Sequence, residues 1–288
     1  MTKLGNVVVG GKNPIRIMGI LNTSPESFYK KSIKTTKQNI SNTIKQMELD
    51  GADFIDVGGM STAPYLSTLV SEKVEFNRIS NAIKIIQNVS NLPISVDTCR
   101  ASVAKSALDL GVDIINDISG LKYDNQMIDV ISNFSPSLIL CSFDTRRVLG
   151  NQITATKNLL KKSINILKKI DFPSNKIVLD PAIGFFRKSG KGPFFTKIRS
   201  DCFVRYLQVI QNLSSIKQKY PILISVSNKS FIGKLLEKEN PDDLLFGSIA
   251  AEVVSVLNGA DIIRTHNVLE TKDAVVVASK LSKINKRL

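Results

Sequence analysis

Eight short and nearly uninterrupted apolar runs recur along this 288-residue chain, and they limit its fold more than any other feature. The runs cover residues 15–20, 53–58, 93–97, 112–117, 137–142, 176–180, 221–227 and 260–265. Runs of this kind are typical of parallel strands that are buried on both faces of a sheet. Longer amphipathic stretches separate them, and apolar residues at helical spacing predict helices over 72–90 and 197–216.

Eight strand–helix units are the number expected for a (β/α)8 TIM barrel, so we predict an α/β fold of that kind in one domain over 1–288. A doubly wound open sheet has the same periodicity and remains an alternative. No strand is followed by the GxGxxG segment that a dinucleotide-binding sheet carries, which makes that alternative weaker. Residues 1–14, with Leu4–Val9 followed by Gly10 and Gly11, predict a short hairpin that plugs the bottom of the barrel.

Charge and composition restrict the possible partners. The chain has 39 Lys and Arg against 25 Asp and Glu, a formal charge of +14, which can indicate nucleic acid, a membrane surface or phosphorylated small molecules. It has no Trp and only five Tyr, and no apolar run of about 18 residues, so we expect neither a nucleic-acid nor a membrane partner. Three cysteines without a CxxC pair, together with a single His, predict a cytoplasmic protein without a zinc or disulfide framework.

Polar residues follow the predicted strands where each strand ends. They are Asn22, Asp56, Asp97, Asn116, Asp117, Asp180, Lys229, Arg264 and His266. A single Asp or Asn after a strand is usually a turn residue or helix cap, and Asp56 and Asp117 fit that interpretation. The whole set predicts a binding site, because strand ends meet on one face of a barrel. Carboxylates and amides facing a Lys and an Arg suit a flat heterocycle that carries phosphate.

Seven segments carry a family resemblance. In chain order they are MGILNTSPESF (18–28), DVGGMSTAP (56–64), SVDT (95–98), INDISG (115–120), LDPAIGF (179–185), SVSNKSFIG (225–233) and IIRTHNV (262–268). Together they resemble the dihydropteroate synthases. The resemblance implies a transferase that joins 7,8-dihydropterin-6-ylmethyl diphosphate to the arylamine 4-aminobenzoate and releases pyrophosphate, for folate synthesis. It also implies a Mg²⁺ cofactor and a homodimer.

The same resemblance implies a role for individual residues. The pterin would be bound by Asp97, Asn116, Asp180, Lys229 and Arg264. The diphosphate would be held by Asn22, Arg264 and His266, and Asn22 would also contact the metal. Thr62 and Ser227 would lie near the arylamine. Catalysis would then depend on Asp97, Lys229, Arg264 and His266.

The chain departs from the family pattern on the side of the second substrate. Ala63 stands where the family has a basic residue, and Asn228 stands where it has Arg. Three alternatives therefore stay open: a ribosylated aminobenzene phosphate as acceptor, a non-catalytic pterin-binding homologue, and a methyltransferase that uses methyltetrahydrofolate on the same barrel. Basic residues of the neighbouring loops are candidates for the missing charge: Lys30, Lys31, Lys34, Arg187, Lys188 and Lys191.

Overall fold

The computed structural model describes residues 1–26, 34–64 and 69–284, and side chains as far as residue 282. Its strands are β1 (Thr2–Leu4), β2 (Val7–Val9), β3 (Arg16–Asn22), β4 (Phe54–Gly58), β5 (Ile94–Asp97), β6 (Ile114–Asp117), β7 (Ser137–Cys141), β8 (Ile177–Asp180), β9 (Phe186–Arg187), β10 (Thr196–Lys197), β11 (Leu223–Ile224) and β12 (Ile262–Thr265).

Eight of these strands form one parallel sheet in the order β11-β12-β3-β4-β5-β6-β7-β8. A bridge between Leu179 and Ile222, and a 2.9 Å hydrogen bond from the Leu179 amide to the Pro221 carbonyl, connect β8 with β11 and complete the ring. Seven of the eight apolar runs contain one barrel strand each, and β3 begins in the first run and extends two residues beyond it, to Asn22. The predicted barrel is confirmed.

The helices are α1 (Lys37–Leu49), α2 (Glu72–Gln87), α3 (Ala101–Asp109), α4 (Met127–Phe134), α5 (Gln152–Lys168), α6 (Cys202–Gln211), α7 (Leu213–Lys217), α8 (Ser230–Leu236), α9 (Leu245–Leu257) and α10 (Val268–Ile284). The helix predicted over 72–90 is α2. Within the described ranges, no helix combines the length and the hydropathy that crossing a membrane requires.

The prediction of one helix over 197–216 is wrong at its start and in its continuity. Lys197 belongs to β10, which pairs with β9. The helix begins only at Cys202, because the Asp201 carboxylate caps it by accepting the Phe203 amide at 2.7 Å. A break at Asn212 then separates α6 from α7.

The N-terminal hairpin forms as expected and closes the bottom of the barrel. Strands β1 and β2 pair antiparallel, and the Gly5 amide in the turn between them donates to Ser137 Oγ at 3.0 Å. Leu4 and Val9 pack with the side chains that fill the interior of the barrel: Met18, Phe54, Ile114, Ile139, Val178, Leu223 and Ile262. The bottom is therefore sealed by apolar packing, which leaves the opposite end for a site.

Candidate active site

A pocket lies at the carboxyl ends of the barrel strands, where the sequence predicts a site. Predicted residues that line it are Asn22, Thr62, Asp97, Ser227, Lys229, Arg264 and His266. Asn116 and Asp180 are buried at the ends of β6 and β8 and do not line the open part of the pocket. They lie beside it, because Asn116 pairs with Asp97 in the sheet register and Asp180 lies close enough to Lys229 and Arg264 for their charges to lower its pKa.

Arg264 is held at the centre of the site by two carboxylates. Its Nε donates to Asp56 Oδ2 at 2.7 Å, and its NH2 nitrogen donates to Asp97 Oδ2 at 2.8 Å. Asp56 is fully buried and also accepts from Ser95 Oγ at 2.5 Å and Asn116 Nδ2 at 3.3 Å. The guanidinium is thus fixed in position before any substrate arrives.

The interpretation of Asp56 as a turn residue is wrong. Asp56 lies in the middle of β4, and its partner Arg264 is 208 residues later in the chain. A carboxylate within a buried apolar strand needs such a cation, and this was the signal available in the sequence. The same interpretation holds for Asp117, whose carboxylate accepts the amides of Ser119 and Leu121 at 2.7 Å within one turn.

The environment of Asp97 leaves one carboxylate oxygen for a ligand. Burial raises the pKa of Asp97 to about 7; Arg264 opposes this shift and Asp56 adds to it. Asp97 Oδ1 is buried and accepts no hydrogen bond from the described groups. Around Arg264, the carboxylates of Asp56 and Asp97 outweigh the effect of burial, so the pKa of the guanidinium is raised and it stays charged.

Lys229 is the residue directly before α8, and its side chain lines the pocket. Its Nζ lies 4.8 Å from the centre of the Phe185 ring, within the range of a cation–π contact. Burial and the nearby Arg264 lower the pKa of Lys229 to about 8, whereas Asp180 and Asp97 raise it. Gly184 has φ +94°, and a Cβ there would lie 3.3 Å from Lys229 Cδ, so this glycine leaves room for the lysine.

Asp180 is the third carboxylate beside the pocket, after Asp56 and Asp97. Burial raises its pKa, although the Ala182 amide, which donates at 2.6 Å, and the charges of Lys229 and Arg264 lower it. Three carboxylates, Asp56, Asp97 and Asp180, therefore face two cations. Such a site favours a ligand edge that donates N–H groups to the carboxylates, while Lys229 donates to a ligand oxygen or nitrogen.

His266 lines the pocket next to Arg264. Its backbone amide donates to Ser227 Oγ at 3.3 Å. Burial, together with the charges of Arg264 and Lys229, lowers the pKa of the imidazole to about 3, so the ring is neutral at pH 7. A neutral imidazole can donate one N–H to an anion but adds no positive charge. At this site the positive charge comes from Arg264 and Lys229.

The rim of the pocket is built from loops that are joined by both backbone and side-chain bonds. The Pro64 carbonyl accepts the Lys191 amide at 2.6 Å. Arg78 donates to the Gly59 carbonyl at 3.1 Å and forms a two-bond ion pair with Glu26, which lowers the pKa of Glu26 to about 2. Lys30 and Lys31 lie outside the described residues.

The donor groups around the pocket bear on the predicted Mg²⁺ site. Within the described ranges, no group of three or more His, Cys, Asp or Glu side chains could hold a metal ion. Asn22 offers an amide oxygen beside Gly58 at the pocket wall. Mg²⁺ commonly binds through few protein oxygens together with substrate phosphates. The Asn22 amide oxygen therefore fits a metal that arrives on a diphosphate.

Comparisons with known proteins agree with this geometry. The model of the family "Pterin binding enzyme" matches residues 18–266. The dihydropteroate synthase of Clostridium beijerinckii is 35% identical over 260 residues, which is 90% of this chain and 91% of that protein. The enzyme of Bacillus subtilis is 32% identical over 257 residues, 89% of this chain and 85% of that protein.

Solved structures give the same result. A dihydropteroate synthase from Clostridium difficile, determined in the presence of pteroic acid, superposes with a TM-score of 0.81 at 35% identity and covers 94% of this chain and 98% of its own. The enzyme of Coxiella burnetii, in complex with pteroic acid, has a TM-score of 0.81 at 30% identity, with 94% of both chains covered. The chain belongs to the pterin-binding enzymes, and within them to the dihydropteroate synthase family.

Proposed function

We propose that this protein is a transferase that joins 7,8-dihydropterin-6-ylmethyl diphosphate to 4-aminobenzoate and releases pyrophosphate, a step of folate synthesis. The observation that carries this proposal is the network in which Arg264 is held by Asp56 and Asp97, with Lys229 lining the same pocket. Relatives named dihydropteroate synthase, and structures of such enzymes with pteroic acid, support the same reaction.

Pterin recognition would use the charged set of the pocket wall. Asp97 Oδ1, which lacks a partner among the described groups, would accept an N–H of the pterin, and Asp180 a second one. Asn116 would orient the pyrimidine edge, and Lys229 would donate to the carbonyl oxygen or a ring nitrogen. Arg264 would lie against the face of the ring while it keeps its bonds to the two carboxylates.

The chemical step is a substitution at the methylene carbon. The C–O bond to the diphosphate breaks and its electron pair leaves with pyrophosphate. The arylamine nitrogen forms the new C–N bond and loses one proton. Asp97 and Asp180 would stabilise the positive charge on the conjugated pterin, while Arg264 and the N–H of His266 would stabilise the leaving group. Asn22 would hold Mg²⁺ together with the diphosphate, and the metal would supply further positive charge to the leaving group.

The residues at the rim of the pocket give a reason to test a second acceptor, the ribosylated aminobenzene phosphate. Ala63 carries no charge, and the bond between Lys191 and Pro64 places a basic loop beside it. Arg187, Lys188 and Lys191 could therefore receive the phosphate of a ribosylated aminobenzene. Thr62 and Ser227 would face the aromatic ring of either acceptor.

We also propose that the protein is a homodimer in the cytoplasm. An apolar groove between α9 and α10 is lined by Val253, Leu257, Val277 and Leu281, and Leu257, Val277 and Leu281 are each more than half exposed. A second copy of the same surface would cover it. Sedimentation of the wild type and of Val277→Asp tests the dimer, which should dissociate in the variant.

A coupling assay tests the function. Pyrophosphate release is measured with the dihydropterin diphosphate, Mg²⁺ and either 4-aminobenzoate or the phosphorylated acceptor. We expect release with 4-aminobenzoate. Release with the phosphorylated acceptor alone would favour the second candidate. Pterin binding without release would indicate a non-catalytic homologue, and tighter binding of methyltetrahydrofolate than of the diphosphate would favour the methyltransferase.

A further inference from the structure

Helix α9 carries a buried polar face. Ser248, Glu252 and Ser255 are spaced four and three residues apart, so they lie on the same side of the helix, and each is 0% exposed. Polar side chains at fully buried positions cost free energy unless they are hydrogen-bonded. The partners of these three residues therefore indicate why they are there.

Ser248 holds the turn between β11 and α8, which carries Lys229. Its Oγ accepts the Asn228 amide at 3.0 Å and lies 3.3 Å from Asn228 Oδ1. Asn228 has φ +54°, a left-handed conformation that an asparagine adopts more readily than most residues. The next residue is Lys229, so the bond to Ser248 fixes the turn from which this lysine enters the pocket.

Glu252 holds the strand end that carries Arg264 and His266. Its Oε2 accepts the Thr271 hydroxyl at 2.8 Å, and the Thr271 and Thr265 hydroxyls lie 3.0 Å apart. Thr265 Oγ1 also accepts the Asn267 amide at 3.1 Å. Thr265 stands directly between Arg264 and His266 in the chain. The path Glu252–Thr271–Thr265 thus determines how β12 turns into α10.

We propose that Ser248 and Glu252 form a brace on α9 that positions the two cations of the site. Ser248 positions Lys229 through Asn228, and Glu252 positions Arg264, together with the neutral His266, through Thr265. The kinetic part of this inference rests on the proposed function. Both are positioning residues, since neither lines the pocket. Ser255 gives the contrast. The Ser248 and Ser255 hydroxyls both donate to the carbonyl four residues earlier, Leu244 at 2.8 Å and Ala251 at 2.7 Å, but Ser255 has no bond to the turn that carries Lys229 or to the end of β12.

The kinetic test compares Ser248→Ala, Glu252→Leu and Glu252→Gln with the matched control Ser255→Ala. We expect the first two to lower kcat/KM for the pterin diphosphate about tenfold, because small displacements of catalytic groups reduce rates strongly. Glu252→Gln keeps an acceptor for Thr271 and should stay within about twofold of the wild type, as should Ser255→Ala. An equal loss in all four variants would overturn the brace and leave only a general packing role.

Hydrogen exchange of the folded proteins, followed by mass spectrometry, provides a readout that does not depend on turnover. Ser248→Ala should accelerate exchange in peptides covering 226–230, and Glu252→Leu in peptides covering 264–268, each without the other. Exchange that rises uniformly, or that stays at the wild-type level in both segments, contradicts the brace. If the wild type releases no pyrophosphate, the proposed function fails, while the exchange pattern still decides the brace.

Discussion

The pocket wall and the pocket rim are held in different ways. In the wall, Arg264 is fixed by the fully buried carboxylate of Asp56 and the largely buried carboxylate of Asp97, whose positions are set by neighbouring strands. At the rim, Thr62 and Ala63 are only partly buried, and the contacts of their loop to the rest of the protein include a bond between the Pro64 carbonyl and the Lys191 amide. A wall of this kind is preorganised for one ligand, whereas a rim of this kind can adapt to different partners.

The largest effect is expected from the wall. Arg264→Leu leaves Asp56 and Asp97 without their cation, and removal of one partner of a buried ion pair costs about 3–5 kcal/mol of the free energy of unfolding. Pyrophosphate release should also become undetectable. Denaturant titration and the coupling assay measure the two effects.

Arg16→Leu is the matched control for this variant. Arg16 pairs with Asp53 at 2.9 Å at the opposite end of the barrel, and the two side chains are 24% and 15% exposed, against 13% and 0% for Arg264 and Asp56. We expect a smaller loss of stability and unchanged kinetics. Equal losses of unfolding free energy in Arg264→Leu and Arg16→Leu would mean that the ion pairs of the wall stabilise the protein no more than the pair at the opposite end.

Lys229→Ala separates binding from stability within the wall. The lysine is positioned by Gly184, Phe185 and its own backbone, and it forms no salt bridge within the part of the chain that the structure describes. Loss of its bond to the pterin should weaken pterin binding about 100-fold, which is about 2.7 kcal/mol, with a small change in unfolding. Calorimetry measures the affinity. Lys234→Ala, on the exposed side of α8, should bind as the wild type does.

The pH dependence of pterin binding should follow the titration of Asp97 and Lys229. Because burial raises the pKa of Asp97 to about 7 and lowers that of Lys229 to about 8, affinity should fall below pH 7 as Asp97 takes up a proton and above pH 8 as Lys229 loses one. Each limb should approach about tenfold per pH unit. Affinity that stays constant between pH 5.5 and 9 would show that neither charge is used. Asp97→Asn should lose the acidic limb only.

Local sequence patterns were sufficient for the fold and for part of the site. Apolar strands are recognisable from adjacent residues, and Asp97, Lys229 and Arg264 are found because the ends of barrel strands converge. The role of Asp56 depends on an arginine 208 residues away, which no local pattern contains. The assignment of Lys197 to β10 rather than to a helix depends on its pairing with Arg187, which a local helical pattern does not contain either.

The smallest effect on stability is expected at the rim, and it tests whether the rim is adaptable. Ala63→Arg adds a cation beside the acceptor side of the pocket, with Ala63→Gln as a control of similar length without charge. Since the position is partly exposed, an attraction to the carboxylate of 4-aminobenzoate is worth at most about 1 kcal/mol. The KM for this acceptor should therefore fall about fivefold in the Arg variant, and KM for the pterin diphosphate should change less.

Unfolding of both rim variants should stay within about 0.5 kcal/mol of the wild type, as for surface substitutions that break no buried contact. Denaturant titration in parallel with Arg264→Leu gives the comparison directly. If substitution of Ala63 lowered the free energy of unfolding as much as Arg264→Leu does, the rim would be as rigidly held as the wall. Acceptor choice would then be fixed by the shape of the rim, because a rigid loop could not rearrange to bring its lysines to a different arylamine.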